Sequence, residues 1–110
     1  MANEPLANKG NFLHIYDFRV KPGTGDDFIA AFEAFDHSGE NFMHESKAQI
    51  KDGVLCRDET DPDHFYLIAE WNDKAEHRQL RKRMVERLAP KFLQYIEGGK
   101  FVPIYADVVV

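Results

Sequence analysis

Cysteine is nearly absent from this sequence, since Cys56 stands alone among 110 residues. A single cysteine cannot form a disulfide within the chain, and it excludes a cysteine-rich zinc site. Long apolar runs are missing too, and none approaches the length of about 20 residues that a membrane-spanning helix needs. The first residues lack the basic-then-apolar pattern of a secretory signal. We therefore expect a reduced, cytoplasmic protein with no membrane partner.

Positive charge is also scarce, because 14 lysines and arginines face 19 aspartates and glutamates. The net charge of −5 disfavours nucleic acid as a partner, since phosphate binding needs a positive field. The basic segment from Arg78 to Arg87 has Glu76 and Glu86 as local partners. We interpret it as a solvated helix surface with local salt bridges. The alternative is a basic entrance to a binding pocket that attracts anions. The histidines show neither HxxxH nor HExxH spacing, so we predict no metal site.

Aromatic residues, by contrast, are abundant at 13%, with nine phenylalanines and a single tryptophan. This is more than a minimal core of this length requires, and it points to an aromatic cavity or interface. The length fits one globular domain, which we assign to residues 11–110, and we predict that the polar residues 1–10 form a flexible tail. A domain this small leaves much apolar surface exposed to solvent, and oligomerisation is a natural way to bury more of it.

The pattern along the chain predicts four strands and two main helices. Phe28, Phe32 and Phe35 form the apolar stripe of the first helix, which a capping box from Thr24 to Asp27 opens. The order β-α-β-β-α-β is the ferredoxin-like arrangement, an α+β fold whose four-stranded antiparallel sheet carries its helices on one face. The predicted strands cover residues 11–20, 54–58, 65–71 and 101–110, with a turn at 51–53, a second capping box at Asp73 to Glu76 and a helical segment at 91–97.

Several predicted strands carry apolar residues on both of their faces, although two helices can cover only one face of the sheet. In the last strand, residues such as Val102 and Ile104 alternate with Phe101, Tyr105 and Val109. On a monomer, an uncovered apolar sheet face would be a large exposed hydrophobic patch, which is prone to association. We therefore predict a homodimer that packs its two sheets face to face.

With this element order, the chain resembles the antibiotic biosynthesis monooxygenase family of the dimeric α/β-barrel superfamily. The first strand runs into Lys21-Pro22-Gly23 and a helix, and the Asp61-Pro62-Asp63 turn lies ten residues before Trp71, which a capped helix follows. The likeness covers roughly Phe12 to Leu88. It implies a homodimer that oxidises an electron-rich aromatic, such as a hydroquinone or anthrone, with dioxygen and without a cofactor.

The sequence also departs from this family. Many relatives carry a histidine nine or ten residues after the tryptophan, where this chain has Leu80 and Arg81, and His77 comes only six residues after it. Relatives that degrade haem use an asparagine in the first strand, and the matching position here is Tyr16. Haem degradation is therefore disfavoured.

Three residues are our candidates for catalysis: Trp71, His14 and His77. Trp71 is suited to stack on a flat substrate and to donate from its indole N–H, with a core tryptophan as the alternative. His14 is a candidate base, with a structural histidine as its alternative. The positive end of the second helix dipole favours a neutral His77, whose alternative is an exposed residue. The candidate substrate-binding residues are Tyr16, Phe12, Phe18 and Leu67.

Two other functions fit the same scaffold. One is a non-catalytic module that binds or senses a small molecule, and the other is a non-oxidative isomerase or cyclase. The missing downstream histidine keeps both open.

Overall fold

A computed structural model describes residues 3–99, 101 and 103–110 of the chain. Its strands form one antiparallel sheet in the order β2-β3-β1-β4, and two α-helices pack on it, which confirms the predicted ferredoxin-like fold. The strands are β1 (Phe12–Arg19), β2 (Gln49–Arg57), β3 (His64–Trp71) and β4 (Pro103–Asp107), and the helices are α1 (Gly25–Asp36) and α2 (Lys74–Arg83).

The alternation of side chains along β1 gives the sheet two different faces. Phe12, His14, Tyr16 and Phe18 are buried, and they belong to the face that the helices cover, which we call the inner face. The residues between them, such as Ile15, are only half-buried and belong to the opposite, outer face. This is the period-2 pattern that the sequence predicted for the strand.

The start of α1 is held by the Asp61-Pro62-Asp63 turn. The two carboxylate oxygens of Asp63 accept hydrogen bonds from the backbone N–H groups of Gly23 and Gly25, both at 3.0 Å. Gly25 lies so close to the turn that a Cβ atom would sit 2.3 Å from the carbonyl oxygen of Pro62. The predicted capping box at Thr24 is wrong, because the Thr24 side chain makes no capping bond and a carboxylate from another element takes its place.

Asp63→Ala should lower the free energy of unfolding by about 1–2 kcal/mol, the usual cost of losing a helix cap. Urea unfolding would measure the change. Asp27→Asn is the matched control, because Asp27 is the exposed acid that the sequence had assigned to the capping box. Its effect should stay within about 0.5 kcal/mol. Equal losses at the two positions would contradict the assignment of the cap to Asp63.

The second strand begins earlier than the sequence predicted. The predicted turn at residues 51–53 is wrong, since these residues lie inside β2. The pairing of β2 with β3 shifts between Gln49 and Lys51 and again between Lys51 and Val54. These bulges interrupt the alternation of side chains, which is why the pattern resembled a turn.

The chain after α2 is more irregular than the sequence predicted. The helix continues as a π-helix over Met84–Leu88 and ends at Ala89, whose φ of 43° is left-handed. Residues Lys91–Tyr95 then form a 3₁₀ helix. The last strand is shorter than residues 101–110, and Val102 of that prediction lies outside the described residues.

Part of the N-terminal segment is tied to the sheet. The carboxylate of Glu70 accepts hydrogen bonds from the Asn8 backbone N–H and from the side-chain amides of Asn8 and Asn11. Ala7 is buried beside them. The domain boundary at residue 10 stays a prediction. Within the described ranges, no helix is both long and apolar enough to cross a membrane.

Candidate active site

A small cavity of about 40 Å³ opens on the inner face of the sheet, beneath the end of α1. His14, Leu67 and Trp71, which the sequence had singled out, form part of its wall. At about 10–15 Å³ for each water, this space accommodates about three or four water molecules. The other lining residues are Phe32, Asp36, Asn41, Met43, His44, Gln49, Asp52, Gly53 and Ala69.

The bulged part of β2 makes space for this cavity. Gly53 lies opposite β3, and a Cβ atom there would be 3.1 Å from Cδ1 of Leu67 and 3.5 Å from Cβ of Ala69. A side chain at this position would therefore press on two residues of the cavity wall. Bulges commonly adjoin active sites for this reason, because they redirect side chains and open the sheet.

Four buried rings form a polar cluster behind the cavity: His14, Tyr16, Trp71 and His77. The ring centre of His14 lies 4.0 Å from that of Tyr16 and 3.9 Å from that of His77. The Trp71 and His77 centres are 4.8 Å apart. None of the four residues is more than 2% exposed. Two strands and α2 thus bring together residues that are widely separated in the sequence.

The polar cluster presents several hydrogen-bonding atoms without protein partners. Both ring nitrogens of His14, the Tyr16 hydroxyl, the Trp71 indole nitrogen and Nε2 of His77 are buried, and none bonds to another described residue. Each unsatisfied buried group destabilises a fold by about 1–3 kcal/mol. Several such groups beside one cavity are typical of a site that supplies hydrogen bonds to a ligand.

One ring nitrogen of the polar cluster does have a hydrogen-bond partner, and this partner lies on the side of the cluster nearer to solvent. Nδ1 of His77 lies 2.7 Å from the hydroxyl of Tyr105, a half-buried residue of β4. The guanidinium carbon of Arg78 lies 4.8 Å from the centre of the Tyr105 ring. His77 and Tyr105 therefore form a short hydrogen-bonded path from the cluster towards the surface.

Burial sets the protonation state of the two histidines. It lowers the pKa of His14 to about 2, with further lowering by the charges of His77 and Arg81. It also lowers the pKa of His77 to about 4, with help from Arg81 and Arg78. Burial raises the pKa of Tyr16, and Arg81 opposes that rise. At neutral pH both imidazoles are uncharged and Tyr16 keeps its proton, so the positive charge nearby belongs to the arginines.

A wider groove of about 250 Å³ runs between α1 and β2 next to the cavity. Phe32, Asp36 and Gly53 line both spaces, so they form the partition between them. Apolar side chains such as Ile29, Leu55 and Phe65 line the rest of the groove, with Arg57 and Glu33 among them. The groove is the natural approach to the polar cluster.

Solved structures at low sequence identity share this architecture over nearly their full length. A candidate antibiotic biosynthesis monooxygenase from Bordetella bronchiseptica is 15% identical, with a TM-score of 0.67 over 93% of this chain and 100% of that chain. An antibiotic biosynthesis monooxygenase is 21% identical, with a TM-score of 0.62 over 90% and 99% of the two chains. This chain therefore has the same fold as these two structures. The predicted resemblance is thus confirmed as a likeness of fold.

A dimeric ferredoxin-like protein from an uncultured marine organism also shares this fold. It is 13% identical, and its TM-score is 0.63 over 93% of this chain and 90% of that chain. The sequence matches no protein-family model and no curated protein.

Within this fold, two of the predicted substrate-binding residues lie away from the cavity. Phe12 packs edge-on against Tyr105, with ring centres 5.2 Å apart. Phe18 packs against Phe28 and Phe101, at 5.4 Å and 5.0 Å. The cavity wall, as far as the chain is described, includes neither ring. Both support the aromatic core behind the polar cluster.

The sequence reasoning missed Arg81 and Tyr105 as members of the site. Arg81 lies four residues after His77 on the same face of α2, a spacing that places two side chains side by side. Its guanidinium carbon lies 5.8 Å from the Tyr16 ring centre, and one of its N–H groups donates to the carbonyl oxygen of Phe101 at 2.9 Å. The spacing from His77 was the available signal for Arg81. For Tyr105 the signal would have been its pairing with His14 across β1 and β4.

Proposed function

We propose that this protein is a homodimeric, cofactor-independent monooxygenase that oxidises an aromatic or quinol-type small molecule with dioxygen. The observation that carries this proposal is the polar cluster, which holds several unpartnered hydrogen-bonding atoms beside a cavity. The names of structures that share the fold, which include monooxygenases, favour the same reaction class.

The shape of the site suggests how such a substrate binds. The cavity is far smaller than the roughly 300–1,000 Å³ of common ligand pockets, so it suits only one edge of an aromatic molecule. The apolar groove between α1 and β2 suits the rest of the ring system. In this arrangement the oxygen-bearing edge passes Phe32 and meets His14 and Trp71.

The reaction needs a base, an environment that stabilises an anion, and dioxygen. His77 lies behind the cavity wall, with its ring centre 3.9 Å from that of His14, so the substrate edge has to reach past His14 for Nε2 of neutral His77 to take its proton. In that tautomer Nδ1–H donates to the Tyr105 hydroxyl. The substrate anion then gives one electron to dioxygen, and the resulting radical pair joins to form a carbon–oxygen bond. The proton held by His77 returns to the terminal peroxide oxygen, and loss of the remaining proton from that carbon then breaks the O–O bond with hydroxide as the leaving group, which the released proton converts to water. One oxygen atom stays in the product carbonyl and the other leaves as water.

Arg81 affects both partners in the proton transfer. Its charge is one cause of the low pKa of His77, which by itself makes the imidazole a weak base. The same charge stabilises a substrate anion and so lowers the pKa of the substrate. The two pKa values therefore move in the same direction, and the transfer stays feasible in a buried site.

Oxygen uptake with anthrones or hydroquinones tests the proposal, using protein without added metal or cofactor. Trp71→Phe keeps an aromatic ring but removes the indole N–H, and we expect kcat to fall by about 100-fold. His14→Ala should lower the rate as well. Tyr95→Phe is the matched control, because it removes a hydroxyl outside the site. Unchanged rates in both Trp71→Phe and His14→Ala would remove these residues from the mechanism.

The same assay separates the other functions. Tight binding of an apolar ligand without turnover favours a binding module, and turnover under strict anaerobiosis favours an isomerase or cyclase. A Soret band on titration with haem would contradict the expectation that haem is not used.

The homodimer rests on the outer face of the sheet. Val54 and Ile104 are 57% and 47% exposed there, on either side of the half-buried Ile15 and Ile68. Apolar side chains in a continuous row on a sheet are typical of a buried interface. The structure from the marine organism is described as dimeric, which favours the same arrangement here.

A further inference from the structure

We propose a divalent metal site at the mouth of the cavity, formed by Asp36, His44 and Asp52. Nε2 of His44 lies 3.2 Å from Oδ1 of Asp36 and 3.0 Å from Oδ1 of Asp52. One ligand atom from each residue falls within 4.8 Å of the others. An imidazole with two carboxylates is a ligand set for first-row transition metals, and Zn²⁺ or Mn²⁺ is the expected occupant.

The three ligands come from three separate elements. Asp36 is the last residue of α1, His44 belongs to a 3₁₀ helix at Phe42–Glu45, and Asp52 lies in the bulged part of β2. Only the fold brings them together, which is why the histidine spacing indicated no metal. A bound ion would join the end of α1 to β2 at one side of the cavity mouth.

Asn41 orients this ligand set. Its side-chain amide N–H donates to Oδ1 of Asp36 at 3.2 Å, while its amide oxygen accepts from the backbone N–H of Met43 at 3.2 Å. The second bond fixes which end of the amide faces the ligands. Outer contacts of this kind hold metal ligands in place.

The two carboxylates have donors of their own, since Asn41 donates to Oδ1 of Asp36 and the Gly53 backbone N–H donates to Oδ1 of Asp52 at 2.8 Å, so His44 is the group with competing partners. Nε2 of an imidazole carries at most one proton, so it cannot donate a linear bond to Asp36 and to Asp52 together. In the neutral tautomer with the proton on Nδ1, the Nε2 lone pair faces two negative carboxylates, and the Asn41 amide nitrogen, 3.4 Å away, is shared with Asp36. A divalent cation between the three atoms satisfies all of them.

His14 supplies an independent indication of a ligand at this place. It is only 2% exposed, and neither of its ring nitrogens bonds to any residue that the structure describes. It lines the same cavity as Asp36, His44 and Asp52. The cavity has room for about three or four waters by volume, so water can complete the coordination of the ion in the space that His14 lines.

Calorimetric titration of the chelator-treated full chain with Zn²⁺ and with Mn²⁺ tests the site without any substrate. We expect one ion per chain, and His44→Gln and Asp52→Asn should each weaken binding by at least about 10-fold. His37→Gln is the matched control, because His37 is exposed and adjoins Asp36 in the sequence. It should bind like the wild type.

Two results would overturn the site. One is the lack of saturable binding of either ion to the wild type at millimolar concentration. The other is an equal loss in His37→Gln and His44→Gln, which would mark the binding as adventitious. Circular dichroism of the metal-free variants checks that they fold. Because binding is measured without oxygen uptake, failure here leaves the proposed monooxygenase activity untouched, and the reverse also holds.

Discussion

Replacing Ile68 with aspartate should convert the proposed dimer into a monomer. Ile68 lies in the middle of the outer face, where the sheet register pairs it with Ile15 on one side and Val54 on the other. A carboxylate at this position would be buried in a two-sheet interface among apolar side chains. An unpaired charge buried in an interface costs about 2–5 kcal/mol of association free energy, which is ample to separate a micromolar dimer.

Light scattering at micromolar concentration would show the change as a halving of the mass. Ala30→Asp is the matched control, since it places the same charge on an exposed position of α1. It should leave the mass unchanged. The side chain of Ile68 points away from the core, so the far-ultraviolet circular dichroism of Ile68→Asp should match that of the wild type. A monomeric wild type at this concentration would contradict the interface itself.

The strands and helices with regular patterns were predictable because their burial is regular. In β1 the alternation of large apolar residues matches the observed burial residue by residue. The second capping box was also predictable at its first residue, where Asp73 accepts from the N–H of Glu76 at 3.1 Å. At these places the local sequence pattern and the tertiary packing favour the same structure, so the sequence pattern alone is enough to predict it.

The errors occur where a distant residue overrides the local pattern. Thr24 has the composition of a helix cap, but Asp63 lies 39 positions along the chain and supplies two oxygens to the same loop. The bulges in β2 likewise depend on how that strand pairs with β3. Neither effect has a signature within a short window of sequence.

The site was only partly predictable for the same reason. Trp71, His14 and His77 were candidates by residue type, and their convergence depends on how α2 docks on the sheet. The missing downstream histidine seemed to weaken the site. The position ten residues after Trp71 is Arg81, whose charge acts on both histidines of the cluster. An arginine there gives the pocket a fixed positive charge in place of a titratable one.

His77→Gln should have the largest effect on catalysis. Glutamine keeps a side-chain amide within reach of Tyr105 but cannot take a proton, so kcat for oxygen uptake should fall by about 10²–10⁴-fold. Tyr105→Phe removes only the partner of Nδ1, and its loss should be smaller. The exposed His37→Gln should keep the wild-type rate. A His77→Gln rate within a few-fold of wild type would rule out His77 as the base.

The pH profile of kcat/KM distinguishes a buried base from an exposed one. The pKa of His77 is about 4, so the base stays neutral and kcat/KM should not fall between pH 8 and pH 5. An exposed histidine would give an inflection near pH 6.5. The stability of the folded protein limits the pH range of this assay. In the unfolded chain His14 and His77 take up protons below pH 6.5, whereas in the folded protein they stay neutral. Their contribution to stability is present above pH 6.5 and declines as the pH falls towards 4. Circular dichroism at each pH therefore separates loss of the base from loss of the fold.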